Sequence, residues 1–211
     1  MKILFQGDSV TDAGRDRSNP HDLGEGYPKY AAAMMQDAFP DVEFEFLDLG
    51  IGGNRTEHLV ERLEGDFVEI QPDIVSIMIG INDVWHRHSH NILTTDEDVE
   101  RNYRAVLEAI KTRTKARILI IQPLLMESTN PGVAELRGEL TAVQAIIKRL
   151  ADEYADAYLP LDTILNTETK EAPTYYTGDG IHPTPNGACF IGEAYLKAIA
   201  PLVELLSKEA E

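Results

Sequence analysis

The sequence predicts an α/β fold, in which one three-layer α/β/α sandwich spanning residues 1–211 is built around a five-stranded parallel sheet. Short runs rich in β-branched and apolar residues alternate with longer segments of helical periodicity, the pattern of repeated βα units. Two of the short runs, "DIVSIMIG" and "RILIIQP", are almost continuously apolar, as expected of central strands covered by helices on both faces. With 211 residues, 43% of them apolar and 26% charged, the chain can bury a sizeable core and has the composition of a globular domain.

The predicted elements follow one another without a linker, an internal repeat or a low-complexity tract. The five strands are Lys2 to Gln6, Phe44 to Leu49, Ile74 to Ile79, Arg117 to Gln122 and Ala157 to Leu161. The helices are Tyr27 to Ala38, Thr56 to Glu64, Asp96 to Thr112, Val133 to Tyr154 and Asn186 to Ser207. Thr184 can cap the last helix and Pro185 can occupy its first position, where a missing N–H costs nothing. Its apolar stripe predicts packing on the sheet and comprises Ala188, Ile191, Ala194, Tyr195, Ala198 and Ile199.

Charge and cysteine content exclude several classes of function. The chain carries 19 basic and 36 acidic residues, a net charge of −17, which disfavours nucleic acid and anionic membrane surfaces as partners. Its one cysteine, Cys189, excludes an intrachain disulfide and a cysteine-based zinc site. The first residues lack the apolar run of a signal peptide, and no window approaches the ~20 apolar residues of a membrane span. We therefore expect a cytoplasmic protein, with a secreted mature form as the alternative.

Small polar residues follow three of the predicted strands. The first strand runs into "GDS" with Ser9, the second into "LGIGGNRT" with Gly53, and the third into "GIND" with Asn82. Before the last helix comes "GDGIHPTPNG", which contains Asp179 and His182. Taken alone, each stretch is typical of an ordinary turn. In an open parallel sheet, however, reactive groups gather outside the carboxyl ends of the strands, so the four stretches are expected to meet.

Together these residues supply what acyl transfer to a serine requires. Ser9 is a weak nucleophile that needs a base, and His182 can take its proton and return it to the leaving group. Asp179 can accept a hydrogen bond from the other imidazole nitrogen and so fix the tautomer. The backbone amides of Ser9 and Gly53 and the side-chain amide of Asn82 are candidate donors to the oxyanion. No cofactor or metal enters this chemistry.

The same four stretches resemble the sequence blocks of the SGNH hydrolase superfamily, also called GDSL-type esterases. The blocks read "FQGDSVTDAG", "LGIGGNRT", "IMIGINDVW" and "DGIHPTPNG", and they occur in the family order over nearly the whole chain. The resemblance implies a flavodoxin-like sheet, Ser9 as nucleophile, Gly53 and Asn82 in the oxyanion hole, and Asp179 with His182 completing the triad. Val10 stands where the family name has Leu, a conservative apolar exchange. Homo-oligomerisation is an expectation that rests on the family alone.

Within the superfamily, "GDSVTDAGR" and "VSIMIGINDVW" are similar to the intracellular acetylxylan-esterase-like branch, which implies acetylated xylo-oligosaccharides as substrates. Trp85, Tyr175 and Tyr176 lie near the blocks in sequence and are candidates to pack on sugar rings, although core or rim packing explains each equally well. A general short-chain carboxylesterase and a lysophospholipase or thioesterase are the alternatives, because an apolar acyl groove leaves no signature in these motifs.

Other functions fit the sequence less well. "GIGGNR" matches a dinucleotide-binding loop only in its first two glycines, since the third falls on Arg55. The G-x-S-x-G elbow of α/β-hydrolases is absent. His86, His88 and His90 alternate in "WHRHSHN", which we interpret as a polar loop rather than a metal site because no carboxylate or cysteine cluster is near in sequence. A non-catalytic binding module on the same fold would not need the five catalytic positions.

Overall fold

A twisted sheet of five parallel strands forms the centre of the protein, which is described here from a computed structural model covering residues 1–210. The strands are β1 (Lys2–Gly7), β2 (Glu45–Asp48), β3 (Ile74–Met78), β4 (Arg117–Ile121) and β5 (Ala157–Leu159). Their order across the sheet is β2-β1-β3-β4-β5, the flavodoxin-like order, which confirms the predicted fold class. Every residue of β3 is buried, as the continuous apolar run indicates for a strand covered on both faces.

Helices cover both faces of the sheet and complete the three layers. They are α1 (Ser9–Asp12), α2 (Tyr27–Ala38), α3 (Thr56–Glu61), α4 (Ile81–Ser89), α5 (Asp96–Arg113), α6 (Arg137–Tyr154), α7 (Leu161–Glu168), α8 (Pro173–Tyr176) and α9 (Pro185–Ala210). Residues from α3, α5 and α6 pack on one face of the sheet, and residues from α2, α7 and α9 pack on the other. Except for Ala188, the predicted stripe of α9 lies in that second core, and Thr184 caps α9 by accepting from the Gly187 amide at 3.2 Å.

The five predicted helices are present as α2, α3, α5, α6 and α9, but four further helices were not expected. These are α1, α4, α7 and α8. The first and last are single turns, and the apolar residues of α4 and α7 extend over little more than one turn, too short a stretch to predict a helix. Residues Glu64–Val68 continue the predicted second helix as a π-helical turn, and Pro131–Leu136 form a 3₁₀ turn before α6. The carboxyl ends of β1, β2 and β3 share one edge of the sheet, so the segments that follow these strands converge there.

Candidate active site

Ser9 is the first residue of α1 and follows β1 almost directly. Asp8 caps this helix, because its Oδ1 accepts from the Val10 amide at 3.1 Å. The Ser9 amide, by contrast, donates to no other residue within the described chain. A helix start leaves such amides without intrahelical partners, so α1 presents both the hydroxyl and a free N–H of Ser9 at the edge of the sheet. The short polar "GDS" is thus a helix start and not a simple turn.

Ser9, His182 and Asp179 form a continuous hydrogen-bonded chain. Ser9 Oγ lies 2.8 Å from His182 Nε2, and His182 Nδ1 lies 2.7 Å from Asp179 Oδ2. Asp179 Oδ1 accepts from the amides of Ile181 and His182 at 2.9 and 2.7 Å. Burial raises the pKa of Asp179, but the hydrogen bonds from His182 and the two amides outweigh it and hold that pKa below its usual value. Asp179 is therefore an ionised acceptor at neutral pH, as an orienter of imidazole needs to be.

The loop that carries Asp179 and His182 is fixed by its backbone. Gly180 lies between them with φ +89°, and a Cβ there would come within 2.9 Å of the Met126 carbonyl oxygen. The Met126 amide donates to Gly180 O at 2.7 Å, and Asn130 Nδ2 donates to Asp179 O at 3.1 Å. The segment after β4 thus holds the imidazole over Ser9.

A loop after β2, residues 50–53, brings a second free amide to the same place. Gly53 has φ +81°, a conformation that glycine adopts without steric cost, and its N–H donates to no residue within positions 1–210. Asn82, on the first turn of α4, is buried and donates one Nδ2 hydrogen to the Asn54 carbonyl oxygen at 3.0 Å. Its second Nδ2 hydrogen is left for another acceptor. The amides of Ser9 and Gly53 and the Asn82 side chain, which the sequence predicts to be oxyanion donors, thus each have an N–H without a partner in the described residues.

Buried carboxylates surround these donors. Asp83 accepts from the hydroxyl of Thr56 at 2.7 Å and from its amide, so α4 holds the start of α3 immediately beyond Gly53 and Asn54. Burial raises the pKa of Asp83 to about 6 against the hydrogen bonds from Thr56. Burial likewise raises the pKa of Asp8 to about 7, partly offset by the Val10 amide and the charge of His182. Ser9 therefore follows an acid that is partly protonated at neutral pH.

The three aromatic candidates occupy different surroundings. The ring of Trp85 lies 6.2 Å from that of His182, centroid to centroid, next to the triad. Tyr175 is 56% exposed on α8. Its ring meets that of Tyr176 edge-on, and Tyr176 in turn packs against Phe190 of α9. Trp85 is therefore the aromatic residue that the structure brings to the imidazole, whereas Tyr176 contributes to the packing of α8 on α9.

The prediction that His86, His88 and His90 form a polar loop is wrong for the first two, which lie on α4. His88 Nε2 contacts Glu139 at 2.7 Å. His86 is four residues after Asn82 and hence on the same helix face, and a Cβ placed on Gly53 would lie 4.0 Å from its Cε1. The sequence analysis places His86 in a polar loop and so misses its position beside Gly53, because the i, i+4 spacing from Asn82 has meaning only in a helix. Within the described residues, no three His, Cys, Asp or Glu side chains are grouped to hold a metal.

Comparison with known families identifies a match over most of the chain. The model of the GDSL-like lipase/acylhydrolase family matches residues 5–188. An acetylxylan esterase from Geobacillus stearothermophilus is 30% identical over 206 residues, which cover 94% of this chain and 93% of that protein. The alpha2 subunit of human platelet-activating factor acetylhydrolase IB is 30% identical over 118 residues, covering 56% of this chain and 47% of that subunit.

Solved structures share the fold. A GDSL-like lipase from Parabacteroides merdae superposes with a TM-score of 0.89 at 29% identity, covering 94% of this chain and 95% of that one. The Geobacillus stearothermophilus acetylxylan esterase superposes with a TM-score of 0.83 at 29% identity, covering 93% and 92% of the two chains. Catalytic mutants of that esterase have been solved in which a serine or an aspartate is replaced by alanine.

Proposed function

The chain belongs to the GDSL-like lipase/acylhydrolase family and is a carboxylic ester hydrolase, and on that basis we propose that Ser9 is the nucleophile of an acyl-enzyme mechanism with His182 as base and Asp179 as its orienter. The observation that carries the proposal is the unbroken contact from Ser9 Oγ through His182 to Asp179, at 2.8 and 2.7 Å. The first distance lies in the range over which a positioned base takes a proton, and the second is that of a hydrogen bond which orients the imidazole.

In the first half of the reaction, Ser9 Oγ attacks the ester carbonyl carbon while its proton moves to His182 Nε2. The carbonyl oxygen becomes an oxyanion and accepts from the amides of Ser9 and Gly53 and from Asn82 Nδ2. The carbon–oxygen bond to the alcohol then breaks, and His182 returns the proton to the departing alkoxide. Asp179 stays ionised throughout and stabilises the imidazolium.

In the second half, water replaces the alcohol. His182 Nε2 accepts a proton from the water as its oxygen attacks the acyl carbon, and the same three donors hold the second oxyanion. The bond to Ser9 Oγ breaks and His182 returns the proton to the serine. The products are a carboxylic acid and the free enzyme.

Replacing Ser9 tests this assignment. Ser9→Ala removes the attacking oxygen, so kcat for p-nitrophenyl acetate is expected to fall by about 10⁴-fold or more while the thermal unfolding midpoint stays near that of the wild type. A variant that stays folded and keeps near wild-type turnover would overturn the proposal. A catalytically silent protein would give no turnover even before the substitution.

We further propose that the substrate is a small acyl ester, most of all an acetyl ester, of a neutral sugar such as a xylo-oligosaccharide. The similarity to an acetylxylan esterase over 94% of the chain supports this class. Trp85 offers an aromatic face beside His182, where the alcohol portion must leave, and aromatic faces pack well on sugar rings. The net charge of −17 disfavours anionic lipid surfaces. Within residues 1–210, no helix is both long enough and apolar enough to cross a membrane.

The position of His86 supports a short acyl group. Because the leaving alcohol must face His182 and the oxyanion must face Gly53 and Asn82, the acyl chain extends away from His182. His86 Cε1 would lie 4.0 Å from a Cβ on Gly53, and we propose that its ring limits the length of the acyl chain.

Two measurements separate this substrate from the alternatives. One compares kcat/KM for acetyl, butyryl and octanoyl p-nitrophenyl esters, and the other follows acetate release from acetylated xylo-oligosaccharide. We expect acetyl to be preferred and acetate to be released. A preference for octanoyl would favour a lysophospholipase or thioesterase, and acetyl preference without release from the sugar would leave a general short-chain carboxylesterase.

A further inference from the structure

We propose that Asp12 is a positioning residue that locks the 50–53 loop, and with it the Gly53 amide, onto the helix that carries the nucleophile. The inference rests on the proposed roles of Ser9 and Gly53. Asp12 lies one turn after Ser9 on α1, and its Oδ2 accepts from the Gly52 amide at 2.8 Å. Gly52 precedes Gly53 directly, so this one hydrogen bond joins the serine helix to the backbone of the second oxyanion donor.

The hydrogen bond between Asp12 and Gly52 is buried. Asp12 is only 5% exposed, and carboxyl groups without a partner are rarely buried so completely. Arg17 donates to the same Oδ2 from the solvent side. A carboxylate held in this way accepts strongly, because hydrogen bonds to an ionised group are shorter and stronger than those between neutral groups.

A second set of buried groups fixes the other end of the loop. Asp48 Oδ1, at the end of β2, accepts from the Gly50 amide at 2.8 Å, and Arg15 Nε donates to the Gly50 carbonyl oxygen at 3.1 Å. Arg15 lies 3.5 Å from Asp48 and 3.9 Å from Asp12, between the two carboxylates. All three side chains are less than a tenth exposed. The loop is thus held at Gly50 around Arg15, at Ile51 by the bond from its amide to the Gly7 carbonyl oxygen at 3.1 Å, and at Gly52 by Asp12.

Packing explains why the anchor at Gly52 governs Gly53. A Cβ on Gly50 would come within 2.7 Å of the Asp12 amide nitrogen, so the loop lies directly against α1 with no side chain between them. On the far side, Asn82 holds Asn54 and Asp83 holds Thr56. Gly53 lies between the attachments at Gly52 and Asn54, with φ +81° and no side chain of its own. Releasing Gly52 frees the peptide unit that aims the Gly53 N–H.

The test uses Asp12→Ala, which breaks the bond to Gly52, and Asp12→Asn, whose carbonyl oxygen can still accept from it. Displacing an oxyanion donor by about 1 Å costs about 100-fold in rate. We therefore expect Asp12→Ala to lose about 100-fold in kcat for p-nitrophenyl acetate with KM nearly unchanged, and Asp12→Asn to recover most of that loss. Asp12→Ser, too short to reach Gly52, gives the same readout if Asp12→Ala does not fold.

A second substrate distinguishes a role of Asp12 in positioning the oxyanion donor from a purely structural role. In p-nitrophenyl thionoacetate the carbonyl oxygen is replaced by sulfur, a weak hydrogen-bond acceptor, so an intact oxyanion hole favours the oxygen ester. The ratio of kcat/KM for the oxygen ester to that for the thionoester should fall in Asp12→Ala and stay near wild type in Asp12→Asn. The matched control is Asp156→Asn, because Asp156 also accepts from a backbone amide, that of Ile118 at 2.8 Å, and pairs with Arg117 away from the active site.

The proposal is overturned if Asp12→Ala keeps kcat within about threefold of wild type, if its kcat falls without a change in the ester-to-thionoester ratio, or if Asp12→Asn is as impaired as Asp12→Ala. These outcomes differ from failure of the proposed function, which would appear as an active Ser9→Ala variant. An active, Ser9-dependent wild type with a normal Asp12→Ala variant would refute the positioning role alone.

Discussion

Replacing Asp179 by asparagine should inactivate the enzyme by inverting the tautomer of His182. Asp179 Oδ1 accepts from two backbone amides at 2.9 and 2.7 Å, while Oδ2 faces His182 Nδ1 at 2.7 Å. In Asp179→Asn, the carbonyl oxygen must remain toward the two amides, since an NH₂ group there would face two donors. The new NH₂ group then faces Nδ1, so the neutral imidazole accepts at Nδ1 and carries its proton on Nε2.

The size of the loss follows from that inversion. A proton on Nε2 points at Ser9 Oγ, 2.8 Å away, and leaves no lone pair to receive the serine proton. Inverting the tautomer in a serine–histidine–aspartate triad costs about 10⁴-fold in kcat, equivalent to about 5 kcal/mol of transition-state stabilisation. Asp179→Ala should be less damaging than Asp179→Asn, because the Asp179 side chain is 49% exposed and water can enter to accept from Nδ1.

The assay is kcat for p-nitrophenyl acetate at neutral pH for wild type, Asp179→Ala and Asp179→Asn, with thermal unfolding to confirm folding. Added formate should raise the rate of Asp179→Ala by occupying the vacated site, and should not rescue Asp179→Asn. The ¹⁵N shifts of His182 should show the proton on Nε2 in Asp179→Asn. The reasoning is refuted if Asp179→Asn keeps activity within about tenfold of wild type or exceeds Asp179→Ala.

Three further substitutions test separate parts of the account. Asn82→Ala removes one oxyanion donor and should lower kcat by about 100- to 1000-fold with little change in KM, whereas a change confined to KM would reassign Asn82 to substrate binding. His86→Ala should raise the butyryl-to-acetyl ratio of kcat/KM by about tenfold, because burying the two additional methylenes of butyryl is worth about 0.8 kcal/mol each. An unchanged ratio would contradict the role of His86 in limiting the acyl chain, and His88→Ala is the control. The fold raises the pKa of the Asp8 carboxyl to about 7. The free energy of unfolding therefore includes a contribution of about 4 kcal/mol from protonated Asp8 that is fully present below about pH 4 and is lost as pH rises through about 7. Asp8→Asn should remove that fall from the pH dependence of urea unfolding, and an identical pH dependence in both proteins would contradict it.

The sheet and the long helices could be predicted because their hydrophobic patterns are local. Apolar runs indicate the five strands, and the order of the sheet follows from the flavodoxin-like family pattern. The helix α4 could not be found in this way, because its apolar residues Ile81, Val84 and Trp85 cover only its first turn and residues 86–89 are polar or charged. The missing apolar stripe made "WHRHSH" look like a loop.

In the candidate site, too, features with a local sequence pattern could be predicted and features that depend on tertiary packing could not. Ser9, Asn82 and His182 lie in recognisable blocks at strand ends, where the chemistry of each residue type suggests its role. The role of Asp12 depends on which loop packs against α1, and no spacing within the first block specifies that. His86 reaches Gly53 only because α4 is helical, so the missed helix also concealed the residue.

The central claim, that Ser9 is the nucleophile, is tested most directly by labelling with the organophosphate diethyl p-nitrophenyl phosphate, followed by mass spectrometry. Tryptic cleavage after Lys2 and Arg15 releases a peptide in which Ser9 is the only serine. We expect one diethylphosphoryl group per chain on that peptide, activity lost in proportion to the label, and no label in Ser9→Ala. Full inactivation with the label on another residue, or full labelling of Ser9 with esterase activity retained, would contradict it.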